Sequence, residues 1–160
     1  MSFLWEMALP IPENLMEKYL TGVTEMWYSK TTLIDKESCL IYKGPCFTIE
    51  WFYDEKGYSQ PYEYFLKSSA GQKRKFLLLA NKMGDFGKII DKQKFRNEDD
   101  KIYAFKPQPD RYLCFFKTGK KIIVTNAFRK KGDKLPAQEK ALAIKNMEKY
   151  YSIHNDQEEK

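Results

Sequence analysis

The apolar positions of this chain change period several times, and each change marks an element. From Cys46 to Tyr53 (CFTIEWFY) the apolar residues alternate. Phe47, Ile49, Trp51 and Tyr53 share one face, which predicts a strand. Asp54-Glu55-Lys56-Gly57 ends it, and Pro61 opens a helix that runs to Ser68. Ser68-Ser69-Ala70-Gly71 breaks that helix, and Ser69 is placed to cap a second one, from about Ala70 to Lys82. This second helix turns Phe76, Leu77, Leu79, Ala80 and Met83 toward a core, with Gly84 as its C-terminal cap. After a basic loop, Lys88–Lys101, come three short β-rich runs: Ile102–Lys106, Tyr112–Lys117 and Lys121–Phe128. The turn Lys117-Thr118-Gly119-Lys120 joins the last two as a hairpin. A final helix starts at Pro136 and runs to about Ser152, with Leu142, Ile144, Met147 and Tyr151 as its packing face.

The first 45 residues read differently. Pro12 opens a helical pattern over Ile11–Tyr28, with Leu15, Tyr19, Val23, Met26 and Trp27 near one face. Gly22 weakens it by roughly 1 kcal/mol relative to Ala. Short β-like runs follow at Thr31–Ile34 and Cys39–Tyr42, and Gly44-Pro45 punctuates the chain. The expected organisation is an N-terminal extension (1–45), an α+β domain (46–151) and a polar tail (152–160).

Composition narrows the classes. With 42% hydrophobic residues, 11 Phe, 11 Tyr and 3 Trp, 160 residues can bury a real core. No window reaches the ~18 apolar residues of a membrane-spanning helix. The N-terminus has neither a basic leader nor a long apolar stretch, so a soluble cytoplasmic protein is expected. Cys39, Cys46 and Cys114 form no CxxC pair, and His154 is the sole histidine. That pattern argues against a disulfide framework and against structural zinc. Asp99-Asp100 read as solvated loop charges.

Charge is uneven. Residues 1–45 carry 4 Lys/Arg against 6 Asp/Glu, residues 46–151 carry 23 against 13, and residues 152–160 carry 1 against 3. The positive field belongs to the middle and C-terminal part. Nucleic acid is the commonest partner of such an asymmetry, and lysines that merely solubilise the surface are the alternative.

The order strand, two helices, basic loop, three strands, helix resembles the RelE/ParE superfamily of bacterial toxins, in particular its phage-derived HigB-like branch. Phe76–Gly87 (FLLLANKMGDFG) is similar to that branch's leucine-rich second helix and its glycine end. Ile102–Lys106 resembles the strand that ends on a basic residue. Arg111-Tyr112 with Phe115-Phe116 resembles the strand after it. Phe128-Arg129-Lys130-Lys131, followed by Pro136 and Glu139, resembles the Phe-x-Lys-Lys … Pro-x-x-Glu signature. The resemblance covers about residues 46–151. Two positions depart from many relatives: Leu113 stands where they carry arginine, and Ala104-Phe105-Lys106 stands for Glu-Leu-Arg. The histidine that some members use has no counterpart.

The resemblance implies a RelE-like small antiparallel sheet and a toxin of a type II toxin–antitoxin module. It implies a ribosome-dependent endoribonuclease that needs no metal or small-molecule cofactor, cuts mRNA in the ribosomal A site and is held by a cognate antitoxin. The site would lie on the concave side of the sheet. Lys106, Arg111, Lys130 and Lys131 would be its catalytic residues, and Lys94, Arg96, Arg129, Lys134 and Tyr112 its RNA contacts. A lysine whose pKa neighbouring cations lower can act as a base, and an arginine can fork across two phosphate oxygens. For each basic residue taken alone, a solvated surface charge is the competing reading. For Tyr112 it is core packing. Two other functions stay open: a ParE-like inhibitor of DNA gyrase that is not a nuclease, and an inactive RNA- or protein-binding member of the fold.

Overall fold

The computed structural model describes residues 39–158, with side chains through His154. The helical pattern over 11–28 and the β-like run at 31–34 lie outside the described residues. Six strands form one sheet: β1 (Leu40–Lys43), β2 (Thr48–Trp51), β3 (Phe95–Asn97), β4 (Tyr103–Phe105), β5 (Asp110–Lys117) and β6 (Lys121–Arg129). Three described helices accompany them: α1 (Gln60–Lys67), α2 (Ala70–Phe86) and α3 (Ala137–Glu158). The α+β class is as expected. No helix among the described residues is long and apolar enough to cross a membrane.

The strand order is β1-β2-β6-β5-β4-β3. All neighbours are antiparallel except β2 and β6, which pair in parallel from Thr48↔Lys121 to Trp51↔Val124. The sheet is therefore mixed rather than purely antiparallel. Two helices and three strands separate β2 from β6 in the chain, and β6 returns along β2 in the same direction. The sheet also begins before residue 46. Leu40–Lys43 pairs with β2, and Ile41 and Tyr42 are buried in the main core.

That core lies between the sheet and helices α1 and α2. Trp51 is its centre, with ring centroids 5.4–6.2 Å from Phe65, Phe76, Tyr62 and Tyr112. Burying side chains of this size contributes about 1.5–3 kcal/mol each. Helix α1 is capped by Ser59, whose hydroxyl accepts from Tyr62 N, and α2 by Ser69, which accepts from Gln72 N. Gly84 is not the cap of α2. The helix continues to Phe86, and Gly87 ends it at φ 75° in the left-handed region. Gly84 has a different task. Its carbonyl accepts from Cys46 N (2.8 Å) and Phe47 N (3.1 Å), so the β1–β2 turn lies directly on the helix backbone.

A second, smaller core fills the other face, where Phe52, Ile102, Leu113, Phe115, Ile123 and Phe128 meet α3. Ala143 and Tyr150 are the buried apolar residues of the described part of α3, with Ile144, Met147 and Tyr151 packed around them. Leu142, expected in that face, is exposed. The helix runs on to Glu158, through the segment read as a tail. Two side chains fasten α3 to the sheet: Asn126 Nδ2 donates to the Glu139 carboxylate (2.8 Å), and Asn146 Nδ2 donates to Thr125 O (3.0 Å). Asp100 is more than a solvated charge, since it pairs with Lys140 of α3 at 2.7 Å.

A candidate anion site at the end of the sheet

Side-chain alternation on two strands decides which cations meet. On β5, Tyr112 and Cys114 belong to the main core, while Leu113 and Phe115 face α3. Arg111 shares the α3 side. It is matched across the sheet by Phe128, and Lys130 follows Phe128 by two residues on the same side. On β4, Ala104 faces α3, so Lys106 does too. Arg96 of β3 sits opposite Ala104. The loop before α3 closes the end. The result is a cavity of about 180 Å³ whose lining includes Arg96, Lys106, Arg111, Lys130 and Lys134. Glu98 and Asp133 are its acidic members, and Phe128, Leu135 and Pro136 its apolar ones.

The two central cations are held firmly. Lys106 is only 8% exposed, and its ammonium donates to Lys92 O at 3.1 Å. Burial lowers its pKa, the Arg111, Arg96 and Lys130 charges lower it further, and Glu98 opposes them. Arg111 is also buried. Its guanidinium donates to Asp110 O (2.8 Å) and to Gln108 Oε1 (3.1 Å). Burial lowers its pKa as well, against the pull of Glu98 and Asp110. These bonds fix the fork in one orientation while leaving donors for a ligand.

The loop 107–110 carries these cations at its two ends, and the helices clamp it. The buried Asp110 carboxylate accepts from the Tyr64 hydroxyl of α1 and from Gln72 Nε2 of α2 (2.8 Å). Gln72 also donates to Pro107 O and Gln108 O, each at 3.3 Å. Burial, then the Asp110 bond and charge, push the Tyr64 pKa well up, so its hydroxyl stays a donor. The Gln60 side chain bonds both the N–H and the C=O of Ala127, each at 2.8 Å, where β2 no longer covers β6. It thus secures the strand that leads to Lys130.

Of the residues singled out in the sequence, Arg96, Lys106, Arg111, Lys130 and Lys134 come together. Four do not line this cavity. Lys131 is exposed beyond it. Arg129 is exposed on the α1 side of β6, where its charge acts on Tyr64. Lys94 lines a neighbouring groove along α2. Tyr112 corrects an expectation: it is 1% exposed, its ring stacks on Phe76 at 4.0 Å, and no base can reach it. Its buried hydroxyl lies beside the Ser68 side chain. Glu98 and Asp133 were missed. Single carboxylates in basic loops carry no spacing signal, and only the fold brings them to the cations.

Residues 63–148 match the family model described as "Phage derived protein Gp49-like (DUF891)". The chain belongs to this family. The Gp49-like family is of RelE/ParE toxin type and associated with toxin–antitoxin modules, which suggests an antitoxin as a partner. No curated protein matches the chain. The matched span takes in α1 beyond its first turn, all of α2, strands β3 to β6 and the first half of α3. It therefore contains every residue that lines the cation cavity.

Proposed function

We propose that this Gp49-like protein is a HigB-like toxin that cuts mRNA on the ribosome, in the cytoplasm, and that the cation cavity is its active site. One observation carries the reading: Lys106, Arg111, Lys130 and Lys134 converge on a small cavity in a member of a toxin-associated family. A trigonal-bipyramidal phosphate gains negative charge, and fixed cations in a partly dry site stabilise that charge strongly.

The chemistry is an internal transfer. The ribose 2′-hydroxyl loses its proton and its oxygen attacks the adjacent phosphorus. The P–O5′ bond breaks, and the 5′-oxygen leaves with a proton. The products are a 2′,3′-cyclic phosphate and a 5′-hydroxyl. Lys106, whose pKa is lowered by burial and by the neighbouring cations, is the base. Arg111 forks across the non-bridging oxygens, and Lys130 and Lys134 neutralise the flanking phosphates. Leu113 contributes no charge, since it is buried in the α3 core.

Controlled expression in bacteria, followed by primer extension on a translated mRNA with and without ribosomes, tests this. Ribosome-dependent cuts are expected. Growth arrest with intact mRNA and an SOS response would replace the reading with gyrase inhibition, and neither effect would leave a binding module.

A further inference from the structure

A second cavity lies across the short edge strand β3 from the cation cavity. It has a volume of about 330 Å³, against about 180 Å³ for the cation cavity. Consecutive side chains of a strand turn to opposite faces, so β3 serves both. Arg96 turns toward α3, where its charge acts on Lys106. Phe95 and Asn97 turn the other way, opposite Phe105 and Tyr103 of β4. Phe95, Asn97, Tyr103 and Lys92 line the second cavity, and Arg96 is a wall common to both. Resting on the reading of this chain as an RNA-cutting toxin, we propose that the second cavity binds a base of the RNA strand, guanine by preference, next to the phosphate held in the cation cavity.

Three observations select that ligand. The first is a stacking surface held in place. The Phe95 and Tyr103 rings lie nearly parallel, 11° apart with centroids at 5.8 Å. Phe105 meets Phe95 at 5.0 Å and Phe116 meets Tyr103 at 4.8 Å, both edge-on, which fixes the pair from the core side. Both rings are only partly buried, so they leave area on which a base can stack. The second is polarity. Among the described residues that line the cavity there is no carboxylate. The Asn97 Oδ1 already accepts from Asp99 N at 2.8 Å, which leaves the Nδ2 donors for a ligand. Lys92 adds donors and no acceptor. Guanine presents O6 and N7 side by side as acceptors, whereas adenine sets an amino donor beside N7 and cytosine offers an amino donor. Uracil has carbonyl acceptors but less ring to stack. The third is size and place. The volume lies at the lower end of the roughly 300–1,000 Å³ range of small-ligand pockets, which suits one ring system. Only the edge strand separates the two cavities, so an RNA whose phosphate meets Lys106 can turn its neighbouring base round the edge of the sheet.

The test uses the full chain and short RNAs with a 2′-deoxyribose at the cleavage position. Each is abasic except at one nucleotide beside the central phosphate, which carries guanine, adenine, cytosine or uracil. Binding is read by fluorescence anisotropy. The guanine probe should bind about tenfold more tightly than the fully abasic one, and about fivefold more tightly than the adenine and cytosine probes. Tyr103→Leu should remove the gain over the abasic probe. Asn97→Ala should cut the preference for guanine over adenine to about twofold or less. Equal binding of the abasic probe and all four bases, or a guanine preference that survives both substitutions, would overturn the proposal. A second arm needs no variant: RNA carrying 6-thioguanine at the same nucleotide is irradiated with the wild-type protein, and the adducts are mapped by mass spectrometry. Adducts on Phe95, Asn97 or Tyr103 are expected. Adducts only elsewhere, or none, would overturn the proposal. Neither arm reads cleavage or growth, so the base site and the nuclease reading can fail separately.

Discussion

The two faces of β5 differ in what they leave open. Toward α1 and α2 the strand presents Tyr112 and Cys114, sealed in an aromatic layer around Trp51. Toward α3 it presents Leu113 and Phe115, and then, at its open end, Arg111 beside a cavity lined by four other cations. The closed face explains the open one. A slip of one residue in β5 would move Arg111 into the aromatic layer and Tyr112 into the cavity. Packing on one side therefore positions charge on the other, and the clamp from Tyr64 and Gln72 to Asp110 carries that order into the loop.

The largest effects should come from the open face. Lys106→Ala and Arg111→Ala are each expected to slow mRNA cleavage about 10²–10³-fold, with the far-UV spectrum unchanged, as read by timed primer extension. On the closed side, Gly44→Ala should destabilise the fold by about 1–3 kcal/mol in urea titration. A Cβ there would stand 2.3 Å from the carbonyl carbon and oxygen of Gly84. The protein that remains folded should cut normally, so stability and activity would separate along the same division.

A third effect is a shift with pH. Cleavage that needs neutral Lys106 should rise with pH through an inflection below the ordinary lysine value of 10.5. Arg111→Gln removes a neighbouring positive charge and so favours the ammonium. The residual activity should then inflect at higher pH. The smallest effect is expected in the closed layer. Tyr112→Phe deletes a buried hydroxyl whose neighbour, the Ser68 hydroxyl, already donates to Tyr64 O, so stability should fall by no more than about 1 kcal/mol, with cleavage unaltered. A large loss of cleavage would return Tyr112 to the site.

Local signals were legible where they act locally. Ser69, the apolar period of α2 and the Lys117–Lys120 turn each carried their element. Strand β3 was hidden because Phe95-Arg96-Asn97 is too short to alternate, and only β4 beside it makes it a strand. Gly84 was misread because a glycine near a helix end resembles a cap, and the close approach that demands it comes from the distant Tyr42 ring and Phe47 carbonyl. For the site, the basic types were visible but not their sides. Arg129, Lys130 and Lys131 are consecutive, yet Lys130 alone of the three lines the cavity. The α2 groove had no signal at all, since Leu78 and Phe86 look like core residues until the helix turns them outward.

The most direct test of the central claim is a side-chain NMR titration of the protein, labelled at lysine and arginine nitrogens, with a trinucleotide whose ribose at the cleavage position is 2′-deoxy. The account predicts saturable shifts of the Lys106 ammonium and the Arg111 guanidinium, with Lys130 following and Lys131 little moved. Shifts confined to Lys131, Arg129 or the lysines of α2, with Lys106 and Arg111 silent, would contradict it.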